Sequence, residues 1–193
     1  LDHIIVSIDG LSEESYNAYR QGGSLHKALD GLCYVRQAKK KHNAHIRIEL
    51  QCLRLKSNEH EWQLLKRNYR HMGADTLTLK TAQFYDYEQG NDLMPSNSRY
   101  SRYIFDATIG KYRPKNRQKS QKNIPCRRLW KGCVIDVHGN MLPCCFDKDG
   151  QHIFGNLVQS SLDDVWFSPQ AILFRQSVTQ DRMQYKICTN CTE

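Results

Sequence analysis

Over the first 85 residues, short apolar runs alternate with longer stretches in which apolar residues recur every three or four positions. HIIVSI (3–8) is a β-branched run closed by Asp9-Gly10, as expected of a strand buried in a parallel sheet. Ser12, Glu13 and Glu14 supply an N-cap and an acidic first turn, predicting a helix to about Arg20 that Gln21-Gly22-Gly23 breaks. Leu25, Ala28, Leu29, Leu32, Val35 and Ala38 share one helical face, and Lys39, Lys40 and Lys41 suit that helix's C-terminus. HIRIELQCL (45–53) alternates as a second strand, Ser57-Asn58-Glu59 opens a helix to about His71 with Gly73 as its stop, and ADTLTLKTAQF (74–84) is a third strand. Strand, helix, strand, helix, strand implies right-handed crossovers and a parallel sheet. Ligands then sit beyond the C-terminal strand ends, near Asp9, Gln51 or Leu53, and residues 80–83.

From Tyr85 to Ile124 the periodicity fails, which predicts a long connection with a short helix near Arg102 to Thr108. Pattern returns in CVIDVHGNMLPCC (133–145), which alternates on both sides of His138-Gly139-Asn140 and predicts a β-hairpin with Cys144 at its rim. FGNL (154–157) reads as a turn leading to an N-cap at Ser160 or Ser161. LDDVWFSPQAILFRQ then gives one or two helices with Leu162, Val165, Trp166, Ile172 and Phe174 inward and Pro169 opening the second. The fold class is therefore α/β at the start, followed by a small α+β cysteine-rich module containing a hairpin.

Cysteine spacing changes that picture from fold to chemistry. Six of the eight cysteines follow residue 125, and Cys188 and Cys191 form a C-x-x-C, which can face one metal centre from a single turn with thiolates that select zinc or iron–sulfur clusters. Cys145 is expected on the hairpin face opposite Cys144, and Cys33 and Cys52 in the core with Trp130 and Trp166. His138, at the turn, is expected to be exposed. Clustered cysteines without a signal-like leader favour a reducing cytoplasm over disulfides, and no apolar run is long enough to span a membrane. A chain beginning at Leu1 in strand-like sequence reads as one entered in mid-fold. The net charge is +8, and Lys111, Arg113, Lys115, Arg117, Lys119, Lys122, Arg127, Arg128 and Lys131 form a run without acids that fits either an anionic partner or a solvated linker.

These residues resemble the radical S-adenosylmethionine (SAM) enzymes that carry a C-terminal SPASM or twitch-type auxiliary iron–sulfur module, and the resemblance covers nearly the whole chain. VSIDG (6–10) with Tyr19-Arg20 and Gly22-Gly23 is similar to the fourth strand and following helix of that family's barrel. Cysteine, twelve residues, glycine, four residues, cysteine, then GNL, a Trp-containing helix and C-x-x-C is similar to its auxiliary module. The resemblance implies a partial (β/α) barrel over 1–85, a basic linker over 86–125 and an auxiliary cluster domain over 126–193. It agrees with the spacing on one [4Fe–4S] site at Cys126, Cys144, Cys188 and Cys191, with Cys133 and Cys145 as secondary candidates. Zinc in the same cage stays open. By the same resemblance Ser7 and Asp9 contact SAM; by its own chemistry Arg20 offers a planar fork to a carboxylate, and Gln51 reaches the same pocket from the next strand, with surface and core positions as the alternatives. An auxiliary cluster there takes up an electron from a peptide, protein or small-molecule substrate, or anchors it.

Two departures limit the expectation. The SAM-cleaving C-x-x-x-C-x-x-C is absent from these 193 residues, and the longer seven-cysteine pattern continues past the point where this sequence stops. SAM binding is therefore expected only with the other half of the barrel, and the open sheet edge invites that half or a complementing chain. Two further readings stand beside this one: a zinc-binding module for nucleic acid or protein, and a non-catalytic partner of another chain. The strand–helix first half is superfluous to a zinc module, and the basic run has few aromatics for base stacking beyond Tyr112 and Trp130.

Overall fold

Three strands, β1 (His3–Ser7), β2 (Arg47–Arg54) and β3 (Thr76–Thr81), form a parallel sheet in that order in the computed structural model, which describes residues 1–115 and 126–191. The crossovers are helical: α1 (Glu13–Asn17) and α2 (Leu25–Lys41) join β1 to β2, and α3 (Trp62–Met72) joins β2 to β3. Local chemistry sets their ends. The Ser12 hydroxyl accepts the Ser15 amide at 3.1 Å, Ser24 accepts that of Lys27 at 3.3 Å, and Gly73 stops α3 at φ +112°, where a side chain would be strained.

Alternation gives the sheet two unlike faces. Ile48, Leu50 and Cys52, with Ile8 just beyond β1, point to one face and are buried against Leu25 and Leu32 of α2 and Leu65 of α3. Cys33 is exposed, because it follows Leu32 on α2 and one residue of rotation carries it off the inward stripe. That corrects its expected core position, whereas Cys52 is buried as expected.

Beyond the strand ends a polar clasp ties β1 to β2. Asn58 is fully buried; its Nδ2 donates to the Asp9 carbonyl at 2.8 Å and the Leu53 carbonyl at 2.9 Å, and its Oδ1 accepts from Leu55 N at 3.1 Å and Trp62 Nε1 at 2.7 Å. Asn58→Ala is expected to destabilise this unit by about 3 kcal/mol, since buried groups lose partners at about 1–3 kcal/mol each. A lower urea midpoint at unchanged slope is the expected signature. A midpoint equal to that of wild type would show the clasp to be dispensable.

The chain divides into two compact units, Leu1–Lys115 and Asn116–Glu193, so residues 86–115, expected as connection, belong to the first. The helix expected near Arg102 to Thr108 is instead a hairpin, β4 (Tyr103–Asp106) paired antiparallel with β5 (Lys111–Pro114). Asp106 decides this: its Oδ1 accepts the Thr108 amide at 3.1 Å, its Oδ2 accepts from Arg113 Nε at 2.8 Å, and Gly110 at φ +64° completes the turn. Tyr103 anchors the hairpin; its hydroxyl donates to the Phe84 carbonyl at 3.0 Å and accepts the Phe84 amide at 2.8 Å, while Tyr87 stacks on its ring at 4.7 Å. Of the basic run, Lys111 pairs with Glu88 at 2.9 Å and Arg113 with Asp106, while Arg117, Lys119 and Lys122 lie outside the described residues.

In the second unit β6 (Val134–Ile135), β7 (Asn140–Leu142) and β8 (Gly155–Asn156) form an antiparallel sheet. The β6–β7 hairpin turns at Gly139, φ +80°, where Asp136 Oδ1 accepts the His138 and Asn140 amides at 2.8 and 2.9 Å. FGNL therefore contributes a third strand rather than only a turn, because Gly155 pairs with Met141 and the Phe154 amide donates to the Met141 carbonyl at 2.9 Å. α4 (Leu162–Trp166) is capped by Ser161, and α5 (Pro169–Gln180) by Ser168 with proline in its first turn. The core holds Leu129, Met141, Phe154, Val165, Ala171, Phe174 and Val178, with Trp166 packed against it. Leu162, Ile172 and Trp130 are 54%, 39% and 55% exposed, contrary to the inward placement expected of them. Phe174 is buried as expected, whereas Ile172 falls beside the buried stripe of Ala171, Phe174 and Val178, and Leu162 stands at the exposed first position of α4. Among the described residues no helix is long and apolar enough to cross a membrane.

Candidate functional site

A chain of tight turns carries four cysteines of the second unit to one place. The Leu129 amide donates to the Cys126 carbonyl at 3.2 Å, starting the 3-10 turn Arg127–Trp130. Cys144 lies two residues past β7, and its carbonyl accepts the Asp147 amide at 3.2 Å. Asp147 is 1% exposed and folds the following loop by accepting the Gln151 and His152 amides, each at 2.9 Å. Cys188 lies in the short helix α6 (Lys186–Thr189), and the Cys191 amide donates to the Cys188 carbonyl at 3.1 Å, closing the C-x-x-C turn.

Cys126, Cys144, Cys188 and Cys191 line one cavity, with Leu129, Pro143, Phe146, Phe174 and Ile187 as apolar wall and Arg128 and Arg182 as charged members. Among the described residues none of the four is in a disulfide; Cys188 and Cys191 are buried, and Cys126 and Cys144 half-buried. Burial pushes the Cys188 thiol up to about 12, against the pull of the Arg182 charge, and burial likewise pushes Cys144 up to about 11. Such thiols are protonated at neutral pH unless a bound cation takes them as thiolates, releasing protons. Buried sulfur donors with few competing oxygens are the set that soft metals and iron–sulfur clusters select, so the residues present fit such a group. Among the described residues no three His, Cys, Asp or Glu side chains are grouped as a site for a single metal ion.

Cys133 and Cys145 are outside this lining. Cys133 packs against the core of the unit, and Cys145 is exposed, its sulfur accepting from Arg128 Nη1 at 3.3 Å. Arg175, which sequence reasoning missed, is 2% exposed; its Nε donates to the Leu129 carbonyl at 2.9 Å and its Nη1 to the Trp166 carbonyl at 2.6 Å. Its guanidinium lies 4.1 Å from the Trp166 ring centroid, fixing the turn after Cys126 against the end of α4.

In the first unit the candidates form two pairs. Asp9, 1% exposed, has both carboxylate oxygens engaged: Oδ1 accepts the Leu53 amide at 2.6 Å and Oδ2 accepts Arg20 Nε at 2.7 Å. Ser7 and Gln51 are cross-strand partners on the sheet face opposite the helices. Glu49 and Thr78 share that face, and sequence reasoning missed them, although Glu49 alternates in phase with Gln51. Side-chain hydrogen bonding from Thr78, then Gln51 and His3, holds the Glu49 carboxyl below its ordinary 4.5; His3 Nε2 lies 3.0 Å from its Oε2. A carboxyl so depressed stabilises the fold above its unfolded value, and the contribution is lost as pH falls through the folded one. Glu49→Gln is therefore expected to cost under about 1 kcal/mol at pH 7, with the deficit closing on acidification below about 4.5. Urea midpoints of both proteins at two pH values check this. A deficit independent of pH would mean that side-chain shape, not charge, matters there.

Comparison with known proteins accords with the cysteine geometry. Residues 126–192 match the family model of SPASM, an iron–sulfur cluster-binding domain. A 75-residue stretch is 29% identical to the S-adenosyl-L-methionine-dependent 2-deoxy-scyllo-inosamine dehydrogenase of Niallia circulans, spanning 38% of this chain and 30% of that relative's length. Among solved structures, BtrN in an open conformation is similar at 14% identity and TM-score 0.40, covering 98% of this chain and 71% of that one. BtrN in complex with AdoMet and 2-DOIA is similar at 18% identity and TM-score 0.36, covering 84% and 66%. Residues 126–192 are thus similar to the SPASM iron–sulfur cluster-binding domain, and a stretch of the chain is similar to a SAM-dependent dehydrogenase of which it spans less than a third.

Proposed function

We propose that this chain is the part of a radical SAM oxidoreductase that holds an auxiliary [4Fe–4S] cluster and contributes one wall of the chamber for SAM and substrate. The observation that carries this is the convergence of Cys126, Cys144, Cys188 and Cys191, from three separate segments, on one apolar cavity. Each is assigned one thiolate ligand. When bound there, the cluster supplies a one-electron acceptor with no open iron position. The surrounding Leu129, Phe146, Phe174 and Ile187 exclude water from the thiolates.

In the first unit, residues 1–85 are assigned to a barrel section whose open polar face turns inward. Ser7 and Gln51 are the side chains assigned to polar groups of SAM or substrate. Arg20 is held by Asp9, so Asp9 acts by positioning it rather than by direct contact. The substrate proposed is a small polar molecule, by analogy with the inosamine named for the dehydrogenase relative. Eight free cysteines suit a reducing compartment.

The test is anaerobic loading with iron and sulfide. About four irons per chain and a broad absorbance near about 400 nm are expected. Stoichiometric zinc that iron and sulfide do not displace would overturn the cluster assignment in favour of a zinc module.

A further inference from the structure

Arg182 stands where no general feature of an apolar cavity requires a charge. It is 1% exposed, ranks among the largest fully buried side chains, and lines the same cavity as the four cysteines. Its position is fixed by consecutive turns. Asp181 Oδ1 accepts the Met183 amide at 3.0 Å to begin the 3-10 turn Arg182–Gln184, the Arg182 carbonyl accepts the Tyr185 amide at 3.3 Å, and the Tyr185 carbonyl accepts the Cys188 amide at 2.8 Å. The backbone that places Cys188 therefore also places the guanidinium.

A guanidinium in the wall of a water-poor cavity interacts strongly with charge that collects in that cavity, whatever else it also contacts. Four thiolates bring four negative charges, and an oxidised [4Fe–4S] core returns only two positive ones, leaving a net charge of about −2 that becomes about −3 on one-electron reduction. We propose that Arg182 is the buried counter-charge of the four-cysteine centre, a positioning residue that favours its reduced state and so raises its reduction potential. This rests on the four-thiolate cluster assignment made above. The attraction grows from about two to about three unit charges with the added electron, so removing the positive charge disfavours reduction as well as cluster binding. Arg128 lines the same cavity but is exposed, and water screens its charge.

The experiment is an EPR-monitored redox titration of the loaded wild-type chain, Arg182→Gln, Arg182→Lys and Arg128→Gln, each with its iron content determined. Arg182→Gln is expected to shift the one-electron reduction equilibrium at least tenfold toward the oxidised form, about 59 mV. Arg182→Lys should retain most of the wild-type potential, and Arg128→Gln should shift the equilibrium less than about threefold. A potential in Arg182→Gln equal to wild type at equal iron content overturns the proposal. Should Arg182→Gln fail to hold iron, retention of iron and potential by Arg182→Lys supports a requirement for charge. Equal failure of both overturns it in favour of a purely steric role. Wild-type protein that takes up no cluster removes the assignment beneath this inference, a result distinct from a cluster whose potential ignores Arg182.

Discussion

Cys188→Ala and Cys144→Ala should each reduce the iron retained after anaerobic loading and desalting from about four per chain to under about one. Both thiols are desolvated in the cavity wall, and no other cysteine lines that cavity beyond Cys126 and Cys191, so a lost ligand leaves an iron facing apolar side chains or solvent. Cys133→Ala and Cys145→Ala should keep about four irons, because Cys133 packs against the core of the unit and Cys145 faces Arg128 from an exposed position. Cys52→Ala, in the first unit, is a further control. Iron and sulfide assays beside the visible spectrum measure all five variants. Retention of four irons by Cys188→Ala, or loss on Cys145→Ala equal to that of Cys144→Ala, would break the assignment of ligands.

The second large effect concerns SAM itself. These 193 residues, loaded with iron and sulfide and reduced with dithionite, should form no 5′-deoxyadenosine above a cluster-free control. Reductive cleavage needs an iron with a vacant position for the amino and carboxylate groups of SAM, and no C-x-x-x-C-x-x-C that leaves such a vacancy occurs in this sequence. A centre with four thiolates has none to offer. On the proposed reading, joining a segment that carries the motif should take turnover from nil to measurable. In that longer protein Gln51→Ala should weaken SAM or substrate binding by about 1–3 kcal/mol, the scale of one buried polar contact. Asp9→Ala should chiefly lower stability, since both its oxygens serve Leu53 and Arg20. Formation of 5′-deoxyadenosine by the 193-residue chain would show that the vacancy lies elsewhere.

Much of this architecture is written in short-range pattern. The first three strands, their helices and the caps at Ser12 and Ser161 follow from periodicity and from hydroxyls placed just before apolar helices, both of which act within a few residues; sequence reasoning missed Ser24 and Ser168, which cap their helices in the same way. The hairpin before Cys144 is legible for the same reason: glycine supplies the positive φ that the turn needs. The four candidate ligands can be picked out because thiolate chelation favours particular spacings.

Other features depend on contacts that no local window contains. The β4–β5 hairpin forms in a segment without apolar periodicity because Asp106 reaches Arg113 and Tyr103 docks on Phe84, nineteen residues away. β8 exists only because β7 offers it an unpaired edge. Spacing likewise singled out four cysteines but kept Cys133 and Cys145 as secondary candidates. It is packing that separates four lining a cavity from Cys133 against the core and Cys145 in solvent. Arg182 and Arg175 look in sequence like ordinary surface arginines, and Glu49 like one polar position of an alternating strand. The sequence by itself determined the order of the first three strands and their helices, the hairpin before Cys144 and the candidate thiolate chemistry, since propensity, capping and chelate spacing are local. Tertiary structure alone decided which charges are buried and which cysteines line one cavity, since desolvation depends on every segment that closes over a side chain.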